Sequence, residues 1–146
     1  MRYQLVSASI EDEPWLEHLR RDVYQELFVA TFGCWDEARH ARQFRECLKR
    51  GGISIIEVDG TRVGMIQLFD RADAVEVCEI QIQPSHQNQG IGSLVLKDTI
   101  ARAHEQRKRV LLYVALKNER AYQLYRRLGF QRFAHNDTHN LMACDL

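Results

Sequence analysis

Between Val75 and Val114 the chain reads strand, helix, strand. Val75–Gln83 has the residues of a strand and is ended by Pro84. After Gly92, Val95, Leu96, Thr99, Ile100 and Ala103 share one half of a helix, while Lys97, Asp98, His104 and Glu105 take the other. Arg109–Val114 is strand again. Two strands joined through a helix pair in parallel, and the crossover is right-handed. Just upstream, Ile53–Val58 and Arg62–Phe69 flank Asp59-Gly60, a tight-turn signal that makes an antiparallel hairpin. A chain holding both units builds a mixed sheet with helices on its faces, an α/β layer architecture.

The remaining elements extend this frame. Arg2–Val6 alternates and reads as a strand. Ser9 or Asp12 caps a helix with Pro14 in its first turn, and Leu16, Leu19, Val23 and Leu27 carry it to about Val29. A second helix covers Asp36–Leu48 and stops at Gly51-Gly52. Asn118 opens a helix with Ala121, Leu124, Tyr125 and Leu128 on one stripe, ended by Gly129. Phe130–Ala134 and Asn140–Cys144 close the chain as strands. The order is β-α-α-β-β-β-α-β-α-β-β, with no repeat and no linker, so residues 1–146 are expected to form one domain.

Charge and cysteine content exclude several classes. Lys+Arg and Asp+Glu both number 20, so the chain lacks the basic excess of a nucleic-acid binder. The Arg107-Lys108-Arg109 run reads as positive charge at a helix C-terminus. No apolar run is long enough for a membrane span, and the N-terminal segment lacks the apolar stretch of a secretion signal. A cytoplasmic location is expected, with Cys34, Cys47, Cys78 and Cys144 as reduced thiols outside any zinc spacing. His135 and His139 straddle the Asn136-Asp137 turn signal, and no metal site is expected there.

Gln87-Asn88-Gln89-Gly90-Ile91-Gly92 lies where a strand hands over to a helix. The first N–H groups of a helix have no internal partner and carry the positive end of its dipole. Glycines at 90 and 92 let an anion such as a phosphate or pyrophosphate approach them. No Gly-Lys-Ser/Thr follows, so this is not a P-loop, and the third glycine of the dinucleotide fingerprint is missing. On residue type alone, a glycine turn without a ligand stays open.

Gln-x-x-Gly-x-Gly after a strand ending Ile-x-Pro resembles the acyl-CoA-binding motif of the GNAT superfamily of N-acyltransferases. Asn118-x-x-Ala121-x-x-Leu124-Tyr125-x-x-x-Gly129-Phe130 resembles the later helix of the same family. The element order fits along nearly the whole chain, the first 50 residues in pattern only. The resemblance implies a GNAT-like mixed, mostly antiparallel sheet with helices on both faces. It implies acetyl-CoA as co-substrate, a primary amine as acceptor and no metal. Its pyrophosphate would sit on Gln87, Asn88, Gln89, Gly90, Ile91, Gly92 and Ser93, and its pantetheine arm would pair with backbone near Ile80 and Ile82. Asn118 would touch that arm.

By the same resemblance Tyr125 would protonate the departing thiolate; the alternative is a core aromatic in its helical stripe. The amine needs a proton acceptor, and Glu76 and Glu79 are the candidates, with Glu79 preferred. Both as plain solvated strand carboxylates is the other reading. Tyr113 replaces the glutamate found five residues before the asparagine in the branch that acetylates ribosomal-protein N-termini, which puts that substrate in doubt. His139 is a second base, a substrate contact or a strand-start histidine bonded to backbone. Tyr24, Phe28, Phe32, Trp35, Asp36 and Arg39 wall a substrate pocket or fill a core. Pairing through terminal strands, as in many relatives, gives a homodimer as the expectation. A non-catalytic acyl-CoA-binding module is the competing function, and a plain phosphate or nucleotide binder the third.

Overall fold

A computed structural model describes residues 2–146. Its strands are β1 (Tyr3–Ser7), β2 (Ile53–Val58), β3 (Thr61–Asp70), β4 (Ala74–Ile82), β5 (Arg109–Ala115), β6 (Gln131–His135) and β7 (His139–Cys144). Its helices are α1 (Glu13–Phe32), α2 (Glu37–Arg50), α3 (Ile91–Glu105) and α4 (Glu119–Arg127), with short 3-10 turns at Ile10–Asp12 and Pro84–His86. The strands form a seven-stranded sheet in the order β1-β2-β3-β4-β5-β7-β6. The β4–β5 pair is parallel, as the crossover demands, while β1–β2, β2–β3, β5–β7 and β6–β7 are antiparallel.

The chain divides into two compact units: one holds the chain up to Gln67 with Glu79–Gln89, the other Leu68–Cys78 with Gly90–Leu146. In the first, Asp59 and Gly60 take left-handed φ of 51° and 79°, which closes the β2–β3 hairpin. Leu16 and Leu19 of α1 pack with Ile55 and Met65, a directly paired couple on β2 and β3. Phe44, Cys47 and Leu48 of α2 pack against the same cluster. The helix stripe found in the sequence is therefore the core face, at about 1.5–3 kcal/mol for each buried aliphatic side chain. Ile55 and its neighbour Ile56 are both buried, so both faces of β2 are covered.

Helix α1 runs one turn past Val29 and stops where Gly33 adopts φ 84° and donates to the Val29 carbonyl at 2.8 Å. Gly33 is the left-handed C-terminal residue that the periodicity count passed over. Asp36 caps α2 by accepting from the Arg39 N–H at 3.1 Å. In the second unit α3 and α4 pack on β5. Val95, Leu96, Val110, Leu112, Phe130 and Met142 form its buried interior. Among the described residues no helix is long and apolar enough to cross a membrane.

Candidate active site

The chemistry-bearing residues fall in both units. In the first, Glu79 is half-buried on β4. Tyr24 reaches it from α1, its hydroxyl donating to Glu79 Oε2 at 2.6 Å. Gln81, two residues along the strand, offers its amide to the same oxygen at 3.4 Å. Glu79 Oε1 has no hydrogen-bond partner among the described residues. One oxygen is anchored and the other is available, which suits a carboxylate that must accept a proton.

Glu76 is differently placed. It is 7% exposed, and its Oε1 takes two bonds from Arg71, at 3.0 Å from Nε and 2.5 Å from Nη2. Its Oε2 accepts from the Cys78 thiol at 2.9 Å. An ion-paired, doubly engaged carboxylate makes a poor base, because a guanidinium favours the charged form. The same pairing raises the Arg71 pKa.

Beyond Glu79, Ile80 and Ile82 lie on β4 past the β4–β5 ladder, which covers Ala74–Val77 against Arg109–Leu112. Gly64 of β3 faces this segment. A Cβ there would stand 2.2 Å from the Gln81 carbonyl oxygen and 3.0 Å from Ile82 Cδ1, so only glycine admits the backbone of β4 at this point. The sequence signal for Gly64 is a lone glycine inside a strand. Gln87 is explained by its side chain, which donates to the Ile82 carbonyl at 2.9 Å and ties the start of the glycine loop to the strand end. Asn88 is left-handed at φ 65°.

Burial, and then the charge of Glu79, push the Cys47 thiol up to about 11. It donates to Gln67 and is no thiolate at neutral pH. An open cleft of about 640 Å³ is lined by Asp22, Gln25, Glu26 and Val29 of α1 with Gln83, Pro84 and Ser85.

In the second unit Gly90 is the N-terminal cap residue of α3, left-handed at φ 83°, and no side chain caps the helix. Its N–H groups are thus available to an anion, with Ile91, Gly92 and Ser93 forming the first turn. Space does not require glycine at 90, since a Cβ there would meet nothing within 4 Å; the positive φ does. Asn118 caps α4, its side chain accepting from the Ala121 N–H at 3.2 Å. Tyr125 is half-buried and meets Phe130 edge-on, centroids 5.8 Å apart at 62°. Phe130 is 1% exposed, so the ring of Tyr125 stands against a rigid support. His139 has its Nδ1 2.8 Å from the Thr138 hydroxyl, in a turn organised by Asn136, whose side chain accepts from the His139 N–H at 2.7 Å. No group of metal-ligating side chains occurs among the described residues.

The family model for the Acetyltransferase (GNAT) family matches residues 20–130, well over half of the chain. The chain belongs to the GNAT family. Among its relatives is an uncharacterized N-acetyltransferase of Methanocaldococcus jannaschii, 25% identical over 126 residues, which are 75% of this chain and 56% of that one. A mycothiol acetyltransferase of Thermomonospora curvata is 33% identical over 108 residues, 70% of this chain and 35% of that one. The chain thus spans about half or less of each of these two relatives. The GNAT fold recurs in the PaiA N-acetyltransferase of Thermoplasma acidophilum, solved in complex with coenzyme A. That structure aligns with a TM-score of 0.79 over 100% of both chains at 19% identity. The ribosomal-protein-S18-alanine N-acetyltransferase of Escherichia coli aligns at 0.72 and 19% identity, over 99% of this chain and 96% of that one. The mixed, mostly antiparallel sheet expected from the motifs is the sheet observed.

Proposed function

We propose that this GNAT protein is an acetyl-CoA-dependent N-acetyltransferase acting on a primary amine by direct attack on the thioester. The observation that carries the reading is the contrast between the two glutamates: Glu79 has an anchored and an available oxygen, whereas Glu76 is locked to Arg71. In this reading the uncapped start of α3, with Asn88 to Ser93, binds the pyrophosphate. The backbone at Ile80 and Ile82 pairs with the pantetheine arm as an added strand does. Asn118 reaches the same arm with its side-chain amide.

The acceptor arrives mainly as an ammonium ion. Glu79 takes one proton, directly or through water, and the freed amine attacks the thioester carbon. A tetrahedral intermediate forms, and its collapse breaks the carbon–sulfur bond. Tyr125 gives its proton to the leaving thiolate and regains one from the amide nitrogen. The balance is ammonium plus acetyl-CoA to N-acetyl amine, CoA thiol and one proton released to solvent. Cys47, held as a thiol, does not offer an acyl-enzyme route. We take residues 1–146 as one catalytic domain, and a homodimer through terminal strands as its assembly.

The test is CoA release, read with a thiol dye, across a panel of primary amines. Tyr125→Phe and Glu79→Gln should each lower kcat about 100-fold while acetyl-CoA binding persists. Gly90→Glu should abolish that binding. Saturable binding with no turnover of any amine would favour an acyl-CoA-binding module instead.

A further inference from the structure

Glu79 is held from α1, and the way it is held assigns a role to residues that the family motifs do not mention. Tyr24, Phe28 and Arg20 form one column on that helix. The rings of Tyr24 and Phe28 stack at 5.6 Å and 13°. The Arg20 guanidinium carbon lies 5.4 Å from the centre of the Tyr24 ring and 5.5 Å from that of Phe28. Arg20 is only 6% exposed. Its Nη2 donates to Gln43 of α2 at 2.9 Å, while Nε and Nη1 have no partner. A buried cation with unmet donors destabilises a fold, and an apolar residue of similar size is often better tolerated there. Stability alone does not account for Arg20. Its charge and that of Glu79 act on the Cys47 thiol with opposite sign, so both charges stand in the same neighbourhood.

We propose that Tyr24 is the positioning residue for Glu79, with Arg20 as its support. The proposal rests on the reading in which Glu79 is the base. The phenol fixes Oε2 and so aims Oε1 at the acceptor. A neutral hydroxyl orients a carboxylate at smaller cost to its basicity than a guanidinium does, which is the difference between this site and the Glu76–Arg71 pair. Arg20 holds the Tyr24 ring by its cation–π contact. Tyr24 does not touch the reacting atoms in this scheme.

A double-mutant cycle tests it with acetyl-CoA and the best acceptor from a panel of aralkyl amines, diamines, amino sugars and amino-acid α-amines. Tyr24→Phe keeps the ring, its stacking and the contact with Arg20. We expect kcat to fall about tenfold, as for loss of a hydrogen bond to a charged group, with the KM for acetyl-CoA unchanged. In the Glu79→Gln background the same substitution should change kcat less than about twofold, because the group it positions is gone. Wild-type kcat in Tyr24→Phe, with Glu79→Gln impaired, overturns the positioning role and leaves the base assignment standing. An equal proportional loss in both backgrounds also overturns it, since Tyr24 would then act apart from Glu79. Full activity in Glu79→Gln overturns the base assignment and this proposal with it. No CoA release by the wild type with any amine counts against both.

Discussion

Single atoms decide the chemistry of this protein. The two glutamates of β4 are three residues apart, yet one is an ion-pair partner and the other has an available oxygen. Glu76→Gln should therefore lower the unfolding midpoint, because it leaves the Arg71 pair and the Cys78 thiol without their carboxylate, while CoA release proceeds at near the wild-type kcat. Glu79→Gln should show the reverse pattern. Gly64 is the other residue on which the site turns. Gly64→Ala places a methyl 2.2 Å from a main-chain oxygen, so β4 must shift at Gln81, between Ile80 and Ile82. The expected cost is about 1–3 kcal/mol in urea unfolding. A calorimetric titration should show acetyl-CoA binding weakened beyond what Gly51→Ala, at a position with nothing near its Cβ, would produce. The sequence displayed Glu76, Glu79 and Gly64 in full view. It favoured Glu79 over Glu76 but not for the contact seen here, because Tyr24 lies 55 positions from Glu79 and only the fold brings the phenol to it.

Among the elements, the α1–α2 pair carries an ionisable core. His40 is 2% exposed, stacked with Phe44 and meeting the Trp35 ring at a tilt of 43°, with Nε2 3.0 Å from Glu17. Burial lowers its pKa below the ordinary 6.5, and the hydrogen bond to Glu17 opposes this without reversing it. The folded state thus prefers neutral His40, and the unfolded chain binds the extra proton first. This contribution is complete above about pH 6.5 and is lost as the pH falls from there through the folded value. Urea midpoints measured between pH 7.5 and pH 5 should drop, and His40→Phe should flatten that part of the profile. Glu17 acts lower on the scale. Burial raises its pKa, but the bonds from Arg21 and His40 outweigh this and leave it lowered, so its contribution fades only below the usual carboxylate range. At α4, Asn118→Ala removes the bond to the Ala121 N–H and should cost about 1 kcal/mol of stability. Caps, hairpin turn and helical stripes were legible because they are local. The end of α1 was misjudged by one turn, since apolar spacing fades before the Gly33 stop does.

At the scale of the whole molecule, ligand binding and net charge set the measurable behaviour. Acetyl-CoA held at 100 times its Kd should stabilise the protein by about 2.7 kcal/mol, a rise in Tm of about 5–10 °C for a chain of this size. Differential scanning fluorimetry checks it, with Gly90→Glu as the variant that should not respond. The formal net charge is zero at pH 7, so solubility at low salt should pass through a minimum near neutrality, read by turbidity across pH. The sequence by itself determined the order of elements, the parallel β4–β5 pair, the glycine-bearing handover from strand to α3 and the family. Each of these rests on neighbours within a few residues or on a right-handed crossover, and both are written in periodicity and turn chemistry. The tertiary structure alone decided which glutamate is locked in an ion pair, why Gly64 must be glycine, and that Arg20 and Tyr24 of α1 reach the neighbourhood of Glu79. Tyr24 meets Glu79 and Gly64 meets the Gln81 carbonyl across long stretches of sequence, and Arg71 reaches Glu76 across the turn between β3 and β4; periodicity and turn signals encode none of these contacts.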